Sequence, residues 1–161
     1  MWTREMKGSR FILGTVQFGL QYGINSAGHP DEQEVERVLR KAYDSGITTL
    51  DTSSAYGDSE AVLGRTMRDE FRIVSKYPKC ARTVSDCFAK TLKNLRRETL
   101  YGYLLHHFSI YETNPSIWDD LVSLKRDGRV LKVGFSLYEP EELERIIEDG
   151  IDFDIVQIPY N

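Results

Sequence analysis

Four residues have types that suit proton transfer to a carbonyl oxygen: Asp51, Tyr56, Lys76 and His106. The first two lie in Thr48–Glu60, TTLDTSSAYGDSE, where an apolar strand changes character at Asp51. Small and hydroxyl residues follow, then Tyr56 on a Gly57-Asp58 turn, then Ser59, placed to cap the next helix. Taken alone, this stretch reads equally well as an ordinary strand-to-helix turn with one exposed aromatic. The next two strand ends add Lys76 and His106-His107. A tyrosine is a poor acid at neutral pH because its ordinary pKa is about 10. An adjacent ammonium favours the phenolate and is expected to lower that value. A carboxylate can keep the lysine charged and in place, and a neutral histidine can donate a hydrogen bond that orients the substrate oxygen. Each residue also has a plain reading: a turn acid, a solvated cation, a satisfied strand-end histidine. Four suitable types at successive strand ends are harder to ascribe to chance.

Such convergence requires the strands to end on one face. Apolar runs begin near Phe11, Ile47, Phe71, Tyr101, Val130 and Phe153. Between them stand amphipathic stripes such as Val35, Val38, Leu39, Ala42 and Tyr43, opened by Pro30-Asp31 with Asp31 and Glu34 placed as a capping box. A helix over about Ser59 to Met67 follows Tyr56, and Val84, Cys87, Phe88, Thr91, Leu92 and Leu95 line another. Asn114-Pro115 reads as a cap and first helical position ahead of Ile117, Leu121 and Leu124. Pro140 opens a helix with Leu143, Ile146 and Ile147 inward. Unbroken strand–helix alternation means right-handed crossovers on a parallel sheet. The segment Gly14–Gly28 reads as a long loop and contains no G-x-G-x-x-G, which weighs against an open doubly wound sheet. Functional types at successive strand ends favour a (β/α)8 TIM barrel. The expected fold class is therefore α/β, as a truncated six-stranded parallel arc of that barrel.

The 161 residues suffice for one domain, taken as 1–161, and 40% hydrophobic with 29% charged residues is ordinary for a soluble globular chain. A net charge of −4 attracts neither nucleic acid nor an anionic membrane, so neither is expected as a partner. Apolar runs are strand-sized, and MWTREMKGSR has charges with no apolar stretch after them, so no membrane span or secretory signal is expected. Cys80 and Cys87 read as buried free thiols in a reducing cytoplasm. No metal-ligand spacing appears.

The chain resembles the aldo-keto reductases, NAD(P)H-dependent (β/α)8 barrels. The resemblance is carried by LGTVQFG (13–19), GITTLDTSSAYGDSEAVLG (46–64), IVSKYP (73–78), YLLHH (103–107), KVGFSLY (132–138) and VQIPYN (156–161). It implies reduction of an aldehyde or ketone, sugar-related in some members, with Asp51, Tyr56, Lys76 and His106 as the catalytic tetrad and Tyr56 as proton donor. His107 falls where the family varies. NADPH is the implied cofactor, with NADH as the alternative. Gly14 and Thr15 would lie beside the nicotinamide, with Asp51 near them and Ser136 and Gln157 holding the carboxamide. Leu137 replaces the family's usual asparagine after that serine and cannot offer its hydrogen bonds. The family's later strands, which carry most phosphate contacts, have no counterpart here. The expectation is thus a part of a longer reductase, or else a chain completed by a partner copy through its exposed strand edges. A non-catalytic binding or regulatory protein on the same scaffold is the alternative function.

Overall fold

The computed structural model describes residues 10–23 and 28–160. The N-terminal stretch 1–9, the segment 24–27 of the predicted long loop, and Asn161 of the last motif lie outside the described residues. Six strands, β1 (Leu13–Gly14), β2 (Thr49–Asp51), β3 (Arg72–Tyr77), β4 (Leu100–Leu105), β5 (Val130–Ser136) and β6 (Ile155–Gln157), form one sheet in the order β1 to β6. Every neighbouring pair is parallel. Helices α1 (Glu32–Asp44), α2 (Ser59–Thr66), α3 (Val84–Leu95), α4 (Phe108–Thr113), α5 (Ile117–Arg126) and α6 (Pro140–Glu148) occupy the connections. This is a six-stranded parallel arc of a (β/α)8 barrel, as expected from the sequence. None of the described helices is long and apolar enough to cross a membrane.

Strand periodicity decides which side chains reach the inner face. Ser75, Tyr103 and Phe135 point toward the helices: Ser75 Oγ meets Glu60 of α2, the Tyr103 ring meets Phe88 of α3, and Phe135 stacks on Trp118 of α5. Their neighbours Lys76, Gly102, Leu104, Gly134 and Ser136 therefore turn to the concave side. There the missing side chain of Gly102 leaves room for Val74 and Ile155. The core lies between sheet and helices and is built on Val35, Leu50, Leu63, Leu95, Leu105 and Leu121, each almost fully buried. Each such aliphatic contributes about 1.5–3 kcal/mol relative to its exposed state.

Local signals explain most element boundaries. The Asp31 carboxylate accepts from the Glu34 N–H at 2.7 Å and so caps α1. Glu142 reaches back to the Tyr138 and Glu139 N–H groups at the start of α6. Four expectations are corrected. Asp58, not Ser59, is the residue ahead of α2, because the Ser59 hydroxyl turns inward to Thr15 and Thr52. Asn114 ends a helix, α4, that periodicity did not reveal, and Ser116 precedes α5. Phe11 and Ile12 stay exposed ahead of a β1 of only two residues. Val38, Tyr43 and Ile147 sit at or beyond the exposed margin of their stripes, since one sheet-facing stripe is narrower than the full apolar set. The described part of the 14–28 segment also contains a 3-10 turn, Val16–Phe18.

Candidate active site

Parallel register brings the four proton-transfer candidates together. Gly14 pairs with Asp51, Asp51 with Val74, and Lys76 with Leu104, one residue short of the β4 end that leads into His106. The Lys76 ammonium donates to both Asp51 carboxylate oxygens, at 2.7 and 2.8 Å, to the Thr52 carbonyl at 3.0 Å and to the Tyr56 hydroxyl at 3.5 Å. Only 1% of the Lys76 side chain is exposed, so all its donors must be met within the protein. The same ammonium lies 5.1 Å from the Tyr56 ring centre, and the His106 ring meets Tyr56 edge-on at 5.6 Å.

Two contacts hold the Tyr56 loop in place. Ser59 Oγ donates to the Thr15 carbonyl at 2.9 Å, and Thr15 Oγ1 donates to the Asp51 carbonyl at 2.9 Å. The turn at Gly57 then packs backbone against backbone with Gly19. A Cβ on Gly19 would come within 2.0 Å of the Tyr56 carbonyl, and one on Gly57, whose φ is +56°, within 2.3 Å of the Gly19 carbonyl. Only glycine permits both the approach and the left-handed turn.

Electrostatics reverse one expectation. Tyr56 is pushed up to about 12 rather than lowered, by burial first and then by the charge of Asp51 and the neighbouring Tyr138 and Tyr22. The physical reason is the bidentate ion pair: with Asp51 beside it, Lys76 presents the phenol with a dipole rather than a free cation, and burial then favours the neutral phenol. Tyr56 is thus a held proton, not a phenolate. Burial lowers Lys76 from its ordinary value, opposed by the charge and hydrogen bond of Asp51. His106 falls to about 4, through burial, then Lys76 and His107, and is neutral near pH 7.

Sequence reasoning missed the partner of that histidine. Ser53 Oγ lies 3.1 Å from His106 Nδ1, and the same oxygen accepts the Ala55 N–H at 3.1 Å. The Ser53 hydroxyl keeps its O–H and a second lone pair for His106, so it can pair with Nδ1 in either tautomer. The contact fixes the ring's orientation through Nδ1 and leaves Nε2 as the nitrogen without a contact to Ser53. His107 stacks on His106 at 4.7 Å and Tyr138 lies beyond it at 6.0 Å, forming an aromatic wall. The run of hydroxyl residues after Asp51 was visible in the sequence; which hydroxyl meets which strand end was not.

Residues 10–161 match the sequence profile of the Aldo/keto reductase family. The chain belongs to that family. Among solved structures, a putative aldo-keto reductase from Pseudomonas aeruginosa superposes with a TM-score of 0.77 at 30% identity, covering 93% of this chain and 62% of that one. The holo form of an aldo-keto reductase from Bacillus halodurans shares the fold, with a TM-score of 0.76 at 17% identity over 92% of this chain and 52% of its own. An aldo-keto reductase of Mycolicibacterium smegmatis is 30% identical over 74% of this chain and 46% of its own. The methylglyoxal reductase DkgA of Salmonella typhimurium is 25% identical over 84% and 51%. The aldo-keto reductase chain thus spans about half the length of the curated relatives it matches.

In this aldo-keto reductase the residues expected to face a nicotinamide fall into two groups. Gly14 is exposed, and a Cβ there would meet no atom within 4 Å, so its surface is open to a flat ring. Ser136 pairs with Gln157 across the β5–β6 ladder. Among the described residues Gln157 Oε1 is buried without a hydrogen-bond partner, an acceptor suited to a carboxamide N–H. These features fit the group. Thr15 is fully buried and its hydroxyl is occupied by Asp51 and Ser59, so it also braces the frame beneath the site. Leu137 turns its side chain into the core and gives its N–H to the Gln157 carbonyl at 2.9 Å, so it braces β6.

Proposed function

We propose that this aldo-keto reductase chain carries the proton-transfer centre of an NAD(P)H-dependent carbonyl reductase, with Tyr56 as proton donor. The observation that carries the reading is the buried Lys76, clamped by both oxygens of Asp51 and 3.5 Å from the Tyr56 hydroxyl. Lys76 donates to the phenol oxygen, so the phenol's own O–H is directed away from Lys76, toward the open side of the site. As negative charge develops on a substrate oxygen, Tyr56 releases its proton to it, and the phenolate left behind gains the Lys76 hydrogen bond as a charge-assisted one. Asp51 holds the ammonium charged and fixed, so little reorganisation is needed at that moment. His106, neutral near pH 7, donates to the substrate oxygen in its Nε2–H tautomer, with Ser53 at Nδ1, and sets its direction. Gly14, Ser136 and Gln157 would hold a nicotinamide, which when bound supplies the reducing equivalent; NADPH is favoured and NADH is the alternative.

Relatives named methylglyoxal reductase and glyoxal reductase direct the substrate reading to short aldehydes. The aromatic wall of His106, His107 and Tyr138 suits a small planar carbonyl group. The test is Tyr56→Phe in whichever form turns over methylglyoxal, the chain itself or a longer reductase containing it. Loss of the positioned acid should lower kcat by about 10²–10⁴-fold, with NADPH binding retained. Wild-type kcat in the variant would remove Tyr56 from the proton-donor role.

A further inference from the structure

Beyond the carbonyl site, the loop that follows β3 brings two thiols together. Cys80 Sγ and Cys87 Sγ lie 3.3 Å apart, seven positions apart in sequence. Cys87 is buried on α3, while Cys80 is exposed, which corrects the expectation that both are buried. Cys80 lines an open cleft of about 420 Å³ between this loop and the α4–α5 corner, with Lys79, Arg82 and Asn114 among its walls. The backbone on either side is held in this arrangement. Tyr77 donates to the Arg82 carbonyl at 2.6 Å, the Cys80 thiol faces the same carbonyl at 3.8 Å, and Thr83 Oγ1 accepts the Asp86 N–H at the start of α3.

We propose that Cys80 and Cys87 are a reversible disulfide-forming site that reacts with low-molecular-weight disulfides, Cys80 being the entry thiol and Cys87 the resolving one. A Cys80 thiolate attacks one sulfur of a small disulfide. A Cys80–S bond forms, the small disulfide's S–S bond breaks, and one small thiolate leaves and takes up a proton. Cys87 then loses its proton to solvent and attacks the Cys80 sulfur. The Cys80–Cys87 bond forms and the mixed disulfide breaks, releasing a second small thiol. Two protein thiols are oxidised and one small disulfide is reduced to two thiols.

The order follows from access and acidity together. Cys87 is covered by the core, and burial, followed by its contact with Cys80, pushes its thiol up to about 11. It therefore stays protonated while both thiols are free, and ionises to attack only once the mixed disulfide at Cys80 stands beside it. Cys80 alone reaches solvent and the cleft. The bond would tie the loop after the Lys76 strand to the first turn of α3, and the Tyr77–Arg82 contact survives in both states because it uses neither thiol.

The purified chain, kept dilute, is treated with oxidised glutathione, quenched with an alkylating agent, and analysed by intact mass and non-reducing peptide mapping. The expected product has lost two hydrogens, takes no label at either cysteine, contains a Cys80–Cys87 linked peptide, and reverts under dithiothreitol. Cys87→Ser should stop at a Cys80–glutathione adduct, and Cys80→Ser should leave Cys87 unmodified over the same period. A stable Cys80–glutathione adduct in the unsubstituted chain, a Cys80–Cys80 linked dimer, or two thiols that stay fully alkylatable would each overturn the assignment. None of these readouts depends on reductase activity.

Discussion

Lys76 carries the most consequence of any single residue in this aldo-keto reductase chain. Its ammonium is nearly inaccessible to solvent and is paired with a carboxylate that is 15% exposed. Removing one member of such a pair leaves the other charge uncompensated. Lys76→Met should therefore destabilise the fold by about 3–5 kcal/mol, and adding Asp51→Asn should recover part of that loss. Urea denaturation of the two single variants and the double variant measures the coupling; strictly additive losses would mean that the pair is not a unit. His106 makes a second prediction at this scale. Its folded-state pKa of about 4 lies below the ordinary 6.5, so between these values the unfolded chain binds the extra proton. Its contribution to stability is complete above about pH 6.5 and is lost as pH falls toward 4. His106→Gln should flatten the dependence of the urea midpoint on pH across that window, relative to the unsubstituted chain. An equally steep dependence in the variant would place the titration elsewhere.

Between elements, the decisive contact is the one between the β1–α1 connection and the β2–α2 loop. Gly19 and Gly57 let two backbones touch, and Thr15 and Ser59 join them by hydroxyl bonds beneath the site. Tyr56 stands on the loop so held. Gly19→Ala introduces a Cβ 2.0 Å from the Tyr56 carbonyl, and neither backbone can yield without moving the tyrosine. The expected cost is about 1–3 kcal/mol, with a fall in kcat that exceeds any change in KM, since the proton donor rather than the binding surface is displaced. Denaturation and steady-state kinetics on this variant check both parts. An unchanged kcat would show that the loop absorbs the methyl without moving Tyr56.

At the scale of the molecule, the governing feature is a sheet that stays open among the described residues. Among the described residues β1 pairs only with β2, and β6 only with β5. Beside these edges stand Phe11 at 74% exposure and Ile158 at 60%. Unpaired edges flanked by apolar side chains invite pairing with another chain. The 161-residue chain on its own is therefore expected to self-associate with increasing concentration. It is also expected to bind NADPH weakly, because a net charge of −4 supplies no general attraction for a polyphosphate. Analytical ultracentrifugation and calorimetric titration with NADPH test the two halves. A soluble monomer that binds NADPH at micromolar Kd would show that the six strands and their loops suffice.

Much of this protein could be read from the chain alone. The alternation of apolar runs and amphipathic stripes determined a parallel sheet, because consecutive parallel strands need a helical crossover between them. A parallel sheet in turn puts every strand's C-terminal end on one face, so Asp51, Lys76 and His106 had to converge although 25 and 30 positions separate them. What the sequence left open depended on burial and on contacts between distant segments. The α4 helix is too short to develop a periodic stripe. Motif position made Thr15 a cofactor neighbour and Leu137 a gap in that set; only packing showed that Thr15 also braces Asp51 and that Leu137 is part of the core. The sign of the Tyr56 shift was decided only when Asp51 closed on Lys76, since pairing weakens the ammonium's field at the phenol and burial then dominates. The orientation of the His106 ring was likewise decided by Ser53, a residue 53 positions away in sequence whose role exists only once the strands are side by side.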